Sequence, residues 1–396
     1  MNSLKRLLSS KRYLGPALVF ASLNFVFGTW AIYIPTVKTQ LDIDKSALGL
    51  AIFCLALGTF SVLPFASRLI RYFGVGKSTG LGVLCIVSTA LFPFLVPSYP
   101  QLIIALFLLG AAQGFTDIAM NALVAHIEKE DGESVMTATH GFFSLGGVLA
   151  GLGSFGIAWL NNPVIHMFFV LVVVILVNLY FYPAYQSIKA AVVPKSAVSL
   201  RHIKPFILLG GISFIVMGSE GAIVDWSALY LQEVALAPEY LVGAGFFLFS
   251  LCMTIARFFG DQWSKRFGSI QIIAFGALVA GIGYCLVLSG NTYLALIGFA
   301  LNGLGFSVVI PEVFRIAGQS NTIDPTKAMS VVAGFGYSGF LLTPVVLGVV
   351  SENFGLSVGF LGLFISVLLV LILTYFLRKK NDPSDNLSKR TQKQQY

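Results

Sequence analysis

The chain has 396 residues, of which 57% are hydrophobic and only 11% are charged. Average soluble domains carry about a quarter charged residues, so this composition excludes a soluble globular protein. A formal net charge of +8 could suggest a nucleic-acid partner, but the positions of the basic residues explain that charge as a membrane-topology signal. We therefore predict an all-α membrane protein without a nucleic-acid partner.

Long apolar runs divide the chain into candidate membrane helices. Because bilayer hydrocarbon is about 30 Å thick, a spanning helix needs roughly 20 apolar residues. This length predicts twelve transmembrane helices, at residues 14–36, 46–66, 77–97, 101–124, 135–160, 163–183, 204–231, 241–259, 270–290, 293–316, 326–350 and 355–378. The first span lacks a small-residue cleavage site and continues into "PTVKTQLDID", so we interpret it as a retained helix and not as a signal peptide.

The basic residues predict the orientation. With twelve spans, 23 of the 25 Lys and Arg residues lie in loops, in tails or near the span ends on the side of the termini, and only Lys38 and Lys45 lie on the other side. Cytoplasmic loops carry the excess of Lys and Arg. We therefore expect both termini in the cytoplasm and the chain in a bacterial inner (plasma) membrane.

The four cysteines, Cys54, Cys85, Cys252 and Cys285, all fall inside the predicted spans and lack CxxC spacing. This pattern gives little support to a disulfide, metal or redox site. We expect them to be small buried hydrophobic residues, and we expect no metal and no cofactor.

An internal repeat has an offset of about 195 residues. "ASRLIRYFG" at 66–74 matches "GDQWSKRFG" at 260–268, and Cys54 precedes Cys252 by 198 residues. "GFT" at 114–116 is echoed by "GFS" at 305–307, and "HGFFS" at 140–144 by "FGYSG" at 335–339. The repeat predicts two parallel six-helix halves, the arrangement of one large transporter class. The expected units are an N-terminal bundle at 1–185, a cytoplasmic linker at 186–203, a C-terminal bundle at 204–378 and a disordered cytoplasmic tail at 379–396.

Several motifs carry a family resemblance. "RYFG" and "DQWSKRFG" resemble degraded copies of the Gly-x-x-x-Asp-Arg-x-Gly-Arg signature of the major facilitator superfamily (MFS). With "GTWAIYIP", "DIAMNA", "HGFFSLGG", "EGAIVDWSALYL" and "GYSGFLLTP", nearly the whole chain resembles the bacterial YbjJ-like subgroup. The resemblance implies the MFS fold, two pseudo-symmetric six-helix bundles, and secondary transport by alternating access.

A more distant resemblance links "DIAMNA" to fucose permease relatives, which carry Glu-x-Ala-x-Asn-Pro at this place. There the carboxylate takes part in proton-coupled sugar uptake. Two departures limit what the resemblances imply. The first span, "NFVFGTWAIYIP", lacks the Asp of those relatives, and Arg71 and Lys265 stand where the facilitator signature has Asp. Neither a two-carboxylate mechanism nor the charge relay of the signature is carried over.

Three residues are candidates for proton coupling: Asp117, His140 and Glu220. A carboxylate at bilayer depth is costly and usually faces the bundle interior or a watery cavity, where desolvation favours its neutral form. Counted from the hairpin near Lys129, Asp117 and His140 lie at similar depth. They could form a proton relay, or a polar clasp that merely joins the fourth and fifth spans. Glu220 could hold substrate or a proton, or make a helix-bending contact.

Polar and aromatic residues of the spans are candidates for substrate binding. They are Asn24, Trp30, Tyr33, Asn121, Asp225, Trp226, Asn302 and Tyr337. Asn121 lies four residues after Asp117 and therefore on the same helix face. Trp30 and Tyr33 are equally compatible with an aromatic belt at the membrane interface.

Charged residues at the inner helix ends are candidates for gating. They are Arg68, Arg71, Arg257, Asp261, Arg266, Glu312 and Arg315. The spacing of Glu312 and Arg315 predicts a local ion pair. Arg257 and Asp261, four residues apart near the membrane edge, suggest snorkelling or an inner gate.

Proton-coupled uptake of a small polar, sugar-like solute is the first functional prediction. The alternative is a proton-driven exporter of amphipathic or drug-like compounds. "GGVLAGLGSFG" at 146–156 lacks the Gly-Pro dipeptide of many drug/proton antiporters, which argues against that alternative. No phosphate loop or nucleophile motif supports an enzyme. The expected partners are the solute, protons and the lipid bilayer, and we expect a monomer.

Overall fold

The computed structural model describes residues 2–132, 135–156, 162–189, 204–319 and 325–380, and within these ranges the chain forms helices and turns. Twelve principal helices, α1 to α12, correspond to the twelve predicted spans. They are Lys11–Ile32, Lys45–Ser61, Val75–Thr89, Tyr99–Asp131, Met136–Gly153, Pro163–Phe181, Ile207–Glu233, Ala244–Phe267, Ser269–Val287, Thr292–Phe306, Pro325–Phe354 and Leu356–Lys380. In the described part of the chain, ten helical segments are long and apolar enough to cross a membrane. The other two principal helices are α2, a shorter apolar helix, and α5.

Short helices precede or extend several spans: Asn2–Ser9, Ile34–Gln40, Leu63–Phe73, Phe92–Leu95 and Val309–Gly318. The predicted spans 14–36, 46–66, 77–97 and 293–316 are therefore interrupted rather than continuous. Pro35 and Pro93 stand in the first turns of their short helices. A proline is tolerated there because the amide hydrogen it lacks would have no helical partner.

The helix contacts repeat from one half to the other. In the N-terminal half α1 packs against α5, α4 packs against α2 and α3, and α6 packs against α1 and α3. In the C-terminal half α7 packs against α11, α10 packs against α8 and α9, and α12 packs against α7 and α9. Each of these contacts in one half has its counterpart six helices later, so the fold is two pseudo-symmetric six-helix bundles.

A glycine turn recurs at the same place in both halves. Gly74 and Gly268 have φ angles of +82° and +85°, and each separates the end of one helix from the start of the next. Glycine adopts positive φ without the steric cost that a side chain brings. These are the glycines that end the repeated segments "ASRLIRYFG" and "GDQWSKRFG".

Close backbone approach holds α2 against α4. A Cβ at Gly110 would overlap the carbonyl oxygen of Leu55, and one at Gly58 would overlap that of Phe107. The hydroxyl of Thr59 donates a hydrogen bond to the Gly110 carbonyl at 3.0 Å. Small residues allow such packing in membranes, where helices gain no hydrophobic attraction for one another.

The prediction for the cysteines was wrong at one position. All four are free thiols; Cys54, Cys85 and Cys252 are partly buried, but Cys285 is exposed. It shares the outer face of α9 with Leu278 and Ile282, each about half exposed. This apolar face can be exposed because lipid, rather than water, surrounds the bundle.

Candidate functional site

The two ends of the bundle differ in how the halves meet. At the end that carries residues 33–44, 234–243 and Gly355, here called the closed end, α2 contacts α11 and α5 contacts α8. A Cβ at Gly49 of α2 would overlap the carbonyl oxygen of Pro344 and lie 3.1 Å from Cα of Gly348. A Cβ at Gly151 of α5 would lie 2.6 Å from Cα of Phe247. Backbone therefore meets backbone across the halves at this end.

Ion pairs reinforce the closed end. The Nζ atoms of Lys38 and Lys45 lie 3.2 Å and 3.0 Å from the two carboxylate oxygens of Glu233. The backbone N–H of Lys45 also donates to the Glu352 carboxylate at 2.8 Å. The two lysines belong to the N-terminal half, whereas both glutamates belong to the C-terminal half. Lys38, Lys45 and Glu233, here called the Glu233 clamp, must separate before the halves can part at this end.

We expect Glu233→Gln to favour the conformation in which the closed end has opened. Partly exposed ion pairs contribute about 0–1 kcal/mol each, so losing two shifts the equilibrium by up to about 30-fold. The reporter is a cysteine at Ser154, which is buried beside Gly243 of the other half, with the native cysteines replaced. Its labelling by a membrane-impermeant maleimide should accelerate.

Glu239→Gln provides the control, because Glu239 is exposed in the adjacent loop and forms no ion pair within the described residues. Unchanged labelling in Glu233→Gln, or an equal rise in the control, would show that the clamp does not hold the end closed.

At the opposite end, here called the open end, exposed polar side chains and glycines without close neighbours indicate a cavity between the halves. His140, Arg257, Tyr337 and Ser338 are exposed there. A Cβ added at Gly141 of α5 or at Gly334 of α11 would meet no atom within 4 Å. Arg257 and Tyr337 do not face lipid, because they contact Ser144 and Phe60 of the opposite half.

Asp117 of α4 faces this cavity. Its side chain is half-buried, and its Oδ1 accepts a hydrogen bond from the Asn121 side-chain amide at 3.1 Å. The same amide donates to the Asp117 carbonyl at 2.8 Å, so the two side chains share a face as predicted. Tyr337 of α11 lies within electrostatic range of the carboxyl group. Tyr337 is 49% exposed, and its ring centroid is 6.0 Å from that of Phe60.

His140 does not pair with Asp117. Its ring packs edge-on against Phe20 of α1, with centroids 4.9 Å apart, and within the described residues no hydrogen bond joins it to the carboxyl group. The glycine face of α5 explains this placement. A Cβ at Gly146 would overlap the Ala21 carbonyl oxygen, so α5 packs against α1 rather than against α4. The polar clasp between the fourth and fifth spans is therefore absent, although both residues border the cavity.

Glu220 of α7 and Arg257 of α8 bring charge to the cavity from the other half. Glu220 is half-buried, and its Oε1 has no hydrogen-bond partner in the described structure. The guanidinium of Arg257 donates to the Ser144 hydroxyl of α5 at 3.2 Å and lies within electrostatic range of Glu220 and His140. Arg257 thus points into the cavity and does not snorkel to the membrane surface. The side chain of its predicted partner Asp261 lies outside those described.

Two predicted binding residues belong to the core of the N-terminal half. Trp30 and Tyr33 are 0% and 1% exposed, and both rings pack against Phe94. The Tyr33 hydroxyl is 3.1 Å from Nδ1 of His166 on α6. The structure therefore places them neither on the cavity nor in an interfacial aromatic belt.

Asn24, Asp225, Trp226 and Asn302 are also buried. The Asn24 side-chain amide donates to the Phe143 carbonyl at 2.9 Å and joins α1 to α5. Asp225 and Trp226 lie toward the closed end of α7, where this helix packs against α1 and Ile34–Gln40. In this conformation none of the four lines the open cavity, because the periodicity of one helix does not reveal which neighbour covers each face.

The predicted gating residues form local contacts. The Glu312–Arg315 ion pair is confirmed at 3.1 Å. Ser264 of α8 donates to Glu312 at 2.8 Å and accepts a hydrogen bond from Arg315, so the pair joins Val309–Gly318 to α8. Arg68 and Arg71 are exposed on Leu63–Phe73, and Arg266 lies over the Phe267 ring.

Sequence reasoning missed Ser144, Glu233 and Glu352. Lys38 and Lys45 were visible as the two basic residues expected outside, and a search for acidic partners at the same membrane side could have found Glu233. Nothing in the sequence marks Ser144 as the residue that meets Arg257, because that contact depends on how α5 and α8 cross.

The family model described as Major Facilitator Superfamily matches residues 17–247 and 236–395. The chain belongs to the major facilitator superfamily. Facilitators are secondary transporters of small molecules rather than enzymes, and the cavity between the two halves is consistent with alternating access.

Similar proteins occur in several bacteria. The chain is 31% identical over 382 residues to the uncharacterised transporter y4wD of Sinorhizobium fredii, covering 93% of this chain and 98% of that one. It is 28% identical over 348 residues to an uncharacterised MFS-type transporter of Yersinia pestis, covering 87% and 90%. Membrane protein MosC of Rhizobium meliloti is 29% identical over 336 residues, covering 84% and 82%.

The fold also resembles a solved transporter. A mutant of the nucleoside transporter NupG superposes with a TM-score of 0.72 at 12% sequence identity, covering 94% of this chain and 100% of that one. At this identity the similarity concerns the fold alone.

Proposed function

We propose that this facilitator couples the uptake of a small polar, sugar-like solute to proton entry across a bacterial inner membrane. The observation that carries the proposal is Asp117, a half-buried carboxyl group that borders the cavity between the halves. Within the described residues its hydrogen-bond donor is the neutral amide of Asn121, not a cation that would hold it ionised. The resemblances to the YbjJ-like subgroup and to fucose permease relatives point in the same direction.

The coupling follows from alternating exposure of Asp117. When the cavity is open, water can solvate the ionised carboxylate. When the halves close over it, loss of water favours the protonated form. A proton bound from one side is then carried through the occluded state and released on the other. Glu220, on the opposite wall, is the second group that could accept a proton.

Asp117→Asn tests the proposal, because asparagine keeps the size and hydrogen bonding of the side chain but cannot ionise. In proteoliposomes, we expect accumulation driven by a pH gradient to be lost, while exchange of labelled for unlabelled solute continues near the parent rate. Solutes for the assay come from a thermal-shift screen of purified protein.

The matched control is Asp225→Asn, which removes a buried carboxyl group that lies away from the open cavity. It should retain gradient-driven accumulation. Parental accumulation in Asp117→Asn would show that this carboxyl group is structural, and coupling at Glu220 would then be tested with Glu220→Gln.

The orientation belongs to the same proposal: the open end and both termini face the cytoplasm. The distribution of Lys and Arg supports it. Cysteines introduced at Asn353, exposed at the closed end, and at Lys189, exposed at the open end, distinguish the two orientations. In whole cells an impermeant maleimide should label the former and spare the latter, and the opposite pattern would refute the orientation.

A further inference from the structure

Arg257 is the basic residue of the cavity whose charge the proposed proton coupling does not use. The side chain is exposed at the open end, ten residues before the end of α8 at Phe267. A cation inside the transmembrane bundle is costly, and such residues usually mark the pathway of a substrate or ion. We therefore expect the Arg257 guanidinium to bind a ligand or an acidic partner.

The positive charge of Arg257 is not neutralised by its hydrogen-bond partner. A guanidinium has five N–H donors, and within the described residues Arg257 makes one hydrogen bond, to the neutral hydroxyl of Ser144. Glu220 is within electrostatic range, but in the described part of the chain no carboxylate lies within ion-pair distance of Arg257. The Glu312–Arg315 pair shows the contrasting case, in which an arginine at this end is matched by a neighbouring carboxylate.

The planar fork of a guanidinium matches a carboxylate with two parallel hydrogen bonds. The cavity around it offers two exposed groups suited to hydroxyls, the Tyr337 phenol and the His140 ring. His140 belongs to one half, whereas Arg257 and Tyr337 belong to the other. A solute held by this set would contact both halves.

We propose that the solute of this cavity is a sugar acid, whose carboxylate is bound by Arg257 and whose hydroxyls face His140 and Tyr337. This rests on the proposed function in taking the cavity as the solute site, and it narrows the polar solute to an anionic one. A carboxylate on Arg257 would compete with Ser144 for the guanidinium, and so would replace a contact between the halves with a contact through the solute.

The test compares matched acids and neutral sugars on purified full-length protein. The pairs are glucuronate with glucose, galacturonate with galactose, and gluconate with sorbitol, each measured by thermal shift and titration calorimetry. We expect at least one acid to raise Tm while its neutral counterpart does not. Arg257→Gln should weaken binding of that acid about 10- to 100-fold, the loss expected for hydrogen bonds to a charged group.

Three further variants distinguish direct binding of the acid by Arg257 from a purely structural role of this residue. Arg257→Lys keeps the positive charge but cannot form two parallel hydrogen bonds to a carboxylate, so this variant should bind the acid more weakly than the parent. Ser144→Ala removes the contact between the halves and should retain acid binding within a few-fold. Arg266→Gln removes a neighbouring arginine that lies over the Phe267 ring and should bind like the parent.

The inference is overturned if no acid of the panel raises Tm, if a neutral sugar binds as tightly as its acid, or if Arg257→Gln binds the acid like the parent. These outcomes differ from failure of the proposed function, because binding in detergent needs no gradient. Acid binding through Arg257 without transport in proteoliposomes would refute proton-coupled uptake alone. Transport of a neutral sugar that Arg257→Gln leaves unchanged would refute the anionic solute alone.

Discussion

Gly49→Val should prevent the two halves from meeting at the closed end, and should thereby abolish transport. A Cβ at Gly49 would overlap the Pro344 carbonyl oxygen and lie 3.1 Å from Cα of Gly348, so valine prevents α2 and α11 from meeting. Overpacking costs about 1–3 kcal/mol, and this cost falls on the closed arrangement alone. The conformational equilibrium should therefore shift about 5- to 150-fold toward opening at this end.

Two introduced cysteines report the shift, each in a background without the native cysteines. A cysteine at Ser154, buried at the closed end, should react faster with an impermeant maleimide added at that side. A cysteine at Ser338, exposed at the open end, should react more slowly from the other side. Gly362→Val is the control, since a Cβ there meets nothing within 4 Å. Parental labelling at both positions in Gly49→Val would contradict the prediction.

Gly110→Val should lower the stability of the folded protein rather than shift the equilibrium between its two conformations. The contact that it disrupts lies between α2 and α4 of the same half, which move together in alternating access. A Cβ at Gly110 would overlap the Leu55 carbonyl oxygen, and the Gly110 carbonyl accepts the Thr59 hydroxyl at 3.0 Å. Backbone atoms cannot move aside as the end of a flexible side chain can. We therefore expect the free energy of unfolding to fall by at least the roughly 1–3 kcal/mol that overpacking usually costs.

The measurements are Tm and the yield of monodisperse protein in detergent. Both should fall in the order parent, Gly110→Ala, Gly110→Val, with Gly362→Val equal to the parent. A Gly110→Val protein with parental Tm would show that α2 and α4 separate at little cost, and that the glycine packing does not stabilise this half.

The candidate site was predicted in part. Asp117, Asn121 and Tyr337 lie on or beside the cavity, and the Glu312–Arg315 pair is present at 3.1 Å. These predictions depended on spacing along one helix or on the cost of a charge in lipid, both of which are local. No hydrogen bond joins Asp117 and His140 in the described structure, because neighbouring helices in sequence need not pack together in space. Here the glycine face of α5 directs it to α1 and α8.

Burial at the closed end could not be predicted for a similar reason. Trp30 and Asp225 are polar or aromatic residues at depths compatible with a solute site, yet both are buried. Whether such a residue lines a cavity depends on which conformation the halves adopt and on which helix covers its face. Neither property is encoded in the periodicity of a single span.

By itself, the sequence determined the membrane class, the twelve helices and the duplication into two halves. It could do so because hydrocarbon thickness fixes the length of an apolar helix, and because a repeated fold leaves a repeated sequence. Tertiary structure alone decided which charges meet across the halves: Glu233 with Lys38 and Lys45 at the closed end, and Arg257 with Ser144 beside the cavity. Those contacts join residues far apart in the chain, and their geometry is set by glycine-lined helix crossings rather than by any local pattern.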